Sequence, residues 1–484
     1  MGQTTASSDT SANAKAGRRS SPTDPMPSLA ELRRRGRTLR STIGRGDHAT
    51  LTLPERDPLA ILEQQNANRL PDLVPVRMGR MLQSPFAYYR GTAAVMAHDL
   101  SADRVTGQQV VCCGDAHISN FGLYASPERR LLFDLNDFDE ASNAPWEWDV
   151  KRFAASIVVG GRDNGFTDAK CREISELAVG MYRTTLRVLL FEMTALDRYY
   201  YQIDTDSLEN ETRNHARLIR KTVGKARRRT SDQLLEKVTA TTDEGELRIR
   251  DLPPVTRHVD YVSADKLVGA FELYRNTLRA DTALLLSQYR LVDYVLRVVG
   301  VGSVGTRCYV VMFVGPAGEP LFLQAKEAPP SVLETYGGQR CHFERLPPVR
   351  HGHQGYRVVA GQRILQAHSD RFLGWVGSWR DERDGFPPTD FYFRQFRDMK
   401  GSLETRGLSA SAYEAYVSLC ARLLARAHSQ SPGAATIAGY LGRSQRFDLA
   451  VARWSVGYAD QTERDFAALE GAVRSGRLPA ERDV

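Results

Sequence analysis

The sequence predicts a mixed α+β fold with helix-rich and strand-rich regions segregated along the chain, and three observations carry that reading. Apolar residues recur at helical spacing at Trp146, Val150, Phe153, Ala154, Ile157 and Val158, and again at Tyr413, Tyr416, Val417, Cys420, Leu423, Leu424 and Ala427. Between them, Val298 to Phe313 is a β-branched run broken by Gly300, Gly302 and Gly305. Gly315-Pro316-Ala317-Gly318 then turns it into Leu321 to Lys326. A chain of 484 residues, 42% hydrophobic and 25% charged, has an ordinary globular composition and the length for two or three domains.

Taken in order, residues 1–28 are rich in Ser, Thr, Ala and Pro, offer little to bury and read as a disordered tail. Arg33, Arg34, Arg35, Arg37, Arg40 and Arg45 follow as a basic strip, read as a solvated face in preference to a nucleic-acid or membrane arm. From Asp57 to His98 the pattern is helical, punctuated by Arg77, Arg80 and Arg90, which are read as surface residues or substrate contacts. A second helical stripe runs from Ile174 to Leu189, and a basic helix carries Arg217, Arg220, Lys221, Lys225 and Arg227 to Arg229. Pro253-Pro254 marks a break before a helix expected over about 266–290. Asp390 to Lys400 reads as another strand, and the chain ends in amphipathic helices with a frayed tail from Ser475.

Between these elements lies the chemistry. Val110 and Val111 end in Gly114-Asp115, and two short strands, Phe121 to Tyr124 and Leu131 to Leu135, flank the turn at Ser126-Pro127-Glu128. Asp115, Asn120 and Asp137 therefore sit at strand ends and in a tight loop. Phosphoryl transfer needs one carboxylate to orient a hydroxyl nucleophile and two oxygen ligands to hold magnesium against the phosphates. These three residues can fill those roles. The plain alternative is that Asp115 and Asn120 only cap turns. A hydrolytic metal centre on Asp115, His117 and Asp137 lacks a second histidine at ligand spacing, and His117 reads as a loop brace.

Gly114-Asp115-Ala116-His117-Ile118-Ser119-Asn120 followed by Asp137-Phe138-Asp139 resembles, in spacing and order, the catalytic and metal loops of the aminoglycoside phosphotransferase and choline kinase branch of the kinase superfamily. The resemblance implies that Asp115 orients or deprotonates the acceptor and that Asn120 and Asp137 bind Mg2+, with Asp139 as a helper. Asp149 looks like the residue that opens the next helix in that branch and braces the loops. The glycine run does not suit a Rossmann fingerprint, because a strand follows it where a helix is required. It resembles the kinase small lobe instead, which implies that Gly300, Gly302, Ser303, Gly305 and Lys326 hold the phosphates of ATP. Leu424-Ala425-Arg426-Ala427-His428 is similar to the end of the helix that precedes the catalytic loop in such enzymes.

These parts stand in a rearranged order, as a circular permutation produces. The expected fold is bilobal and protein-kinase-like, with a helical large lobe first and a β-rich small lobe later. Its divisions are a tail (1–28), an N-terminal helical segment (29–108), a catalytic half (109–295), a glycine-loop small lobe (296–405) and C-terminal helices completing the large lobe (406–475). Residues from about 30 to 475 are similar to the bacterial domain-of-unknown-function 2252 family, on Arg80 to Gly91, Cys113 to Gly122, Phe133 to Glu140, Lys326-Glu327-Ala328, Gly361-Gln362-Arg363 and Arg397 to Ser402. Tyr356 and Ala360 stand where that family's pattern is acidic, so the partner of Lys326 is open between Glu334 and Glu344.

The expected activity is ATP- and Mg2+-dependent phosphotransfer to an unidentified hydroxyl acceptor. The alternatives are a nucleotide-binding pseudokinase and a nucleotidyl transferase using the same ligands. A net charge of +7 suits nucleotide phosphates as well as nucleic acid, which is the less favoured partner. Six cysteines without a CxxC pair and no apolar run of membrane length point to a cytoplasmic protein. All of this requires that Lys326 and Asp137 face each other across one crevice.

Overall fold

The structure, a computed structural model, describes residues 25–481 apart from 206, 209–215, 230–234, 236–237, 242, 244–245, 261, 263, 341–342, 344–351, 380–387 and 397–398. It is mixed α+β, with a helical body and antiparallel sheets. The tail expected over 1–28 lies outside the described residues as far as 24. Ser28 belongs to the ordered fold, capping the helix Leu29–Thr38 in a reciprocal box with Glu31.

The helices Trp146–Asp163, Asp168–Phe191, Ala410–Ser429 and Arg446–Arg474 pack on one another and bury the stripes that the sequence displays. Thr167 and Ser409 supply the side-chain caps that start two of them. Leu29–Thr38 crosses Ala434–Leu441 closely enough that a Cβ on Gly36 would lie 2.0 Å from the Thr436 carbonyl oxygen. Arg33, Arg34, Arg35 and Arg37 of the basic strip are exposed, and its last two members are used here. Arg40 donates to the carbonyls of Gly439 (2.7 Å) and Tyr440 (2.8 Å), and Arg45 donates to that of Leu441 (2.8 Å), satisfying the orphan acceptors at a helix end.

The larger sheet has six antiparallel strands in the order Gly374–Trp379, Thr389–Gln395, Pro320–Ala328, Cys308–Val314, Arg290–Arg297, Thr256–Arg257. Two expectations change. The helix expected over 266–290 is two helices, Ala264–Arg275 and Ala280–Leu286, interrupted where the Thr277 hydroxyl donates to the Tyr274 carbonyl and accepts from the Trp375 amide. The strand lies ahead of the glycines at Arg290–Arg297, and 298–307 forms turns.

A double hairpin positions the chemistry. Gln109–Cys112 pairs with Ser142–Pro145, and Phe121–Ala125 pairs with Leu131–Leu135. The loops 113–120 and 136–141 are therefore held face to face between two paired segments. Gly401–Ser402 adds to the edge at Leu123 and Gly122. The frayed end expected from Ser475 is in fact packed over its described part. Leu478 is buried beside Leu59 and Leu62, and the Glu481 amide donates to the Pro75 carbonyl at 2.9 Å. Among the described residues, no helix is long and apolar enough to cross a membrane, and five cysteines are free and buried.

Candidate active site

Gly114 sets the spacing of the two loops. Its φ is +81°, and a Cβ there would lie 2.2 Å from the Glu140 carbonyl oxygen, so only glycine lets loop 113–120 approach loop 136–141 this closely. Asp149, in the first turn of Trp146–Asp163, accepts from the amides of Cys113 (2.6 Å) and Gly114 (2.9 Å). His428 meets the same carboxylate at 3.1 Å, and its other ring nitrogen is 2.8 Å from the Tyr182 hydroxyl. Cys112, Asp149 and His428 thus converge, all buried, but the Asp149 oxygens are already taken by amides and imidazole. The cluster is a brace that ties residue 428 to the loop at 113.

Asp115 projects into a cavity of about 300 Å³. Arg152, one turn beyond Asp149 and 3% exposed, holds its Oδ1 at 2.8–2.9 Å and stacks 3.9 Å from the Tyr89 ring centroid. The Asp115 carboxylate raises the affinity of that guanidinium for its proton, against the opposing effect of burial. Asn120 donates its Nδ2 to the Asp115 carbonyl at 2.7 Å, which leaves its Oδ1 as the side-chain oxygen available on the cavity wall. Burial keeps His117 neutral, with help from Arg90 and Arg152, and its Nδ1 accepts from the Ser119 amide as a loop brace.

Lys326, buried behind the cavity wall, reaches the acidic loop from the six-stranded sheet. Its ammonium is 3.9 Å from Asp137 Oδ1 and bonded to Asp139, although 187 residues separate Lys326 from Asp139. Asp139 also accepts from the hydroxyls of Tyr392 (2.6 Å) and Ser303 (3.3 Å). Burial opposes its ionisation, but Lys326 and Tyr392 outweigh burial and hold its carboxyl below the usual range. Burial and the neighbouring Asp139 push the Asp137 carboxyl up. Its Oδ1 is shielded from solvent with no hydrogen-bond partner. A carboxylate oxygen without a hydrogen-bond partner and the free Asn120 oxygen, on residues lining one cavity, are a donor set that fits Mg2+. Asp139 is engaged on both oxygens and serves Lys326.

Gly300, Gly302 and Ser303 line the same cavity. Gly305 does not, because its carbonyl turns away to accept from the Leu70 amide at 2.8 Å. Of the two expected glutamates, Glu334 is not an ion-pair partner of Lys326. Glu344 lies outside the described residues, and Glu334 leaves its Oε2 buried without a partner. The helix Gln354–Leu365 meets this region through Arg357, which donates to the carbonyls of Ala141 (2.7 Å) and Pro329 (2.9 Å).

The sequence reading missed Arg152 and Tyr392. A charged residue inside the apolar run Val150 to Val158 was the available signal for Arg152; Tyr392 left none, being one aromatic of a strand. On its other side Asp137 borders a second cavity of about 430 Å³, shared with Arg394, Lys400 and Asp370. Burial and Arg394 push the Lys400 ammonium down to about 7. The basic helix near it is described only in part, the side chains of Arg217, Arg220 and Lys221 lying outside the described residues, while Arg229 donates to the Lys400 carbonyl at 3.0 Å.

Residues 69–472 match the model of a family described as "Uncharacterized protein conserved in bacteria (DUF2252)". No curated protein and no solved structure matches the chain.

Proposed function

The chain belongs to this bacterial DUF2252 family, and from that premise we propose that it is an ATP- and Mg2+-dependent phosphotransferase acting on a hydroxyl acceptor, on a circularly permuted protein-kinase-like fold. One observation carries the reading. Asp137 lines one crevice with Asp115, Asn120 and the glycine loop, and Lys326, buried behind that wall, stands 3.9 Å from it.

In this reading Asp115, held by Arg152 in one orientation, accepts the hydrogen bond of the acceptor hydroxyl and takes its proton as that oxygen bonds to the γ-phosphorus and the bond from the γ-phosphorus to the bridging oxygen breaks, releasing ADP. The Asp137 and Asn120 oxygens bind Mg2+, and Gly300, Gly302 and Ser303 bring backbone against the phosphates. Mg2+ held by these two oxygens would supply positive charge against the phosphates. Lys326 supplies a point charge to the phosphates by turning from Asp139, which keeps it protonated and close until then.

A nucleotide-binding protein without transfer is the second reading. It is favoured by the commitment of the Lys326 ammonium to Asp139, with Ser303 also within 3.4 Å. Thermal shift with ATP, with and without Mg2+, followed by single-turnover transfer from α- and γ-labelled ATP, tests both. The expected result is Mg2+-dependent stabilisation that disappears in Asp137→Ala. Asp115→Asn should keep that stabilisation and lose γ-label transfer by about 10²-fold or more. Stabilisation without any transfer selects the second reading, and transfer of the α label replaces phosphoryl with nucleotidyl chemistry. No stabilisation by any nucleotide rejects the proposal.

A further inference from the structure

Three guanidinium groups line this crevice on the side of Asp115 and come from one stretch of chain, at Arg69, Arg77 and Arg90. None has a carboxylate within ion-pair distance among the described residues. Arg77 is fully buried, and its donors go to neutral oxygens on Asn66 (2.6 Å), Gln65 (3.0 Å) and the Gly91 carbonyl (3.1 Å). Arg69 is nine-tenths buried and donates to the Val304 carbonyl. Arg90 makes no side-chain hydrogen bond among the described residues, and the Nε atoms of all three are buried without a partner. Of the carboxylates lining the crevice, Asp115 is paired with Arg152, Asp139 with Lys326 and Glu327 with Arg307 at 3.1 Å, Glu140 accepts from the Val332 amide at 2.7 Å, and Asp137 lies 3.9 Å from Lys326.

Burying guanidinium groups without a counter-charge is costly, and the cost shows in their titration. Burial pushes Arg69 down to about 10 and lowers Arg77 and Arg90 as well. Such groups persist around a cavity when an anion completes them. The phosphates of ATP do not account for Arg90, because the reading above places them with Lys326 and the glycine loop. Arg90 follows Tyr89, whose carbonyl and ring hold the Arg152 that grips Asp115, and it lines the cavity with Asp115 and His117, so it belongs to the acceptor's end of the crevice. The same end carries the amides of Gln65 and Asn68, and the cavity admits a small molecule and no folded partner.

We infer that the acceptor is a small, oxygen-rich molecule carrying its own phosphate or carboxylate, which Arg90 grips with Arg69 and Arg77 behind it. The inference rests on the phosphotransferase reading, which it deepens by naming the substrate class. The test uses the full chain saturated with Mg2+ and a non-hydrolysable imido analogue of ATP, so that the γ position is filled. Inorganic phosphate or malonate is then titrated while the melting temperature is followed. The expected result is a further saturable rise, with apparent affinity weakened about tenfold or more in Arg90→Gln and less in Arg90→Lys.

The response to nucleotide alone should be unchanged in both variants. Malonate preferred over phosphate assigns a carboxylate acceptor, and the reverse a phosphorylated one. Phosphate binding with ADP that vanishes with the analogue assigns Arg90 to the γ-phosphate and overturns the inference. Equal responses in the wild type and Arg90→Gln also overturn it. If Arg90→Gln fails to fold, Arg90→Lys decides by the same comparison. Failure of nucleotide binding itself, with the Arg90-dependent phosphate response intact, rejects the phosphotransferase reading and leaves an anion site.

Discussion

Glu147 illustrates how one buried carboxylate sets a pH limit on this molecule. Its Oε1 accepts from the amide and hydroxyl of Thr106, each at 2.7 Å, while Oε2 is buried without a partner. Burial pushes the carboxyl up to about 7, the Thr106 hydrogen bonds offsetting only part of that effect. The unfolded chain releases this proton near 4.5, so between about 4.5 and 7 the folded state holds a proton that the unfolded state has lost. Stability from this group therefore falls as pH rises through that window. Glu147→Gln keeps the Oε1 acceptor and cannot ionise. Its stability relative to wild type should climb from pH 5 to pH 8 by an amount on the order of 2 kcal/mol. Melting curves at the two pH values check this, and a pH-independent difference refutes it. Arg152 makes a related point about legibility: its position in an apolar helix was visible, but its attachment to Asp115 required the loop to fold back over the helix.

At the scale of elements, the strands at Val110–Val111, Phe121–Tyr124 and Leu131–Leu135 and the main helices follow from local pattern and were readable, whereas Ser142–Pro145 was not, being a strand through its pairing with Gln109–Cys112. The failures lie where a distant contact overrides that pattern. Thr277 breaks an apparently continuous helix because Trp375 supplies a partner for its hydroxyl. Leu478 is packed where the end of the chain reads as polar, because Leu59 and Leu62 wait there. The two central loops depend on glycine for the same non-local reason. Gly114→Ala should force them apart, lowering stability by about 2–4 kcal/mol. It should also abolish Mg2+-dependent nucleotide stabilisation. Urea midpoints and thermal shift test this together, and an alanine variant with wild-type values of both would refute the close approach.

For the whole molecule, the C-terminal helix and the segment after it pack on residues 56–75, and the first helix packs on Ala434–Leu441. Arg477 pairs with Glu63 at 3.0 Å, Glu481 reaches the Pro75 backbone, and Arg56 pairs with Asp465 at 2.9 Å. Ser287 and Gln288, between the helix Ala280–Leu286 and the strand Arg290–Arg297, are exposed. On the proposed fold, a permutant that joins the present ends by a flexible linker and opens at 287–288 would have the chain order of an ordinary kinase. It should fold with nearly the same stability and the same response to Mg2+ and nucleotide. An insoluble or non-responding permutant counts against the permutation reading.

The sequence by itself determined the α+β class, the main elements and the short-range motifs at 113–122 and 133–140, because capping, periodicity and turn chemistry act over a few residues. It also carried Asp115, Asn120, Asp137 and Lys326 as candidates, through spacing and resemblance. Only the tertiary structure decided that Asp139 is the partner of Lys326, that Gly305 turns away from the crevice and that Arg69, Arg77 and Arg90 crowd it. Those outcomes depend on which oxygen lies within about 3 Å of which nitrogen once segments nearly two hundred residues apart are packed, and pairing at that range leaves no periodic trace in the chain.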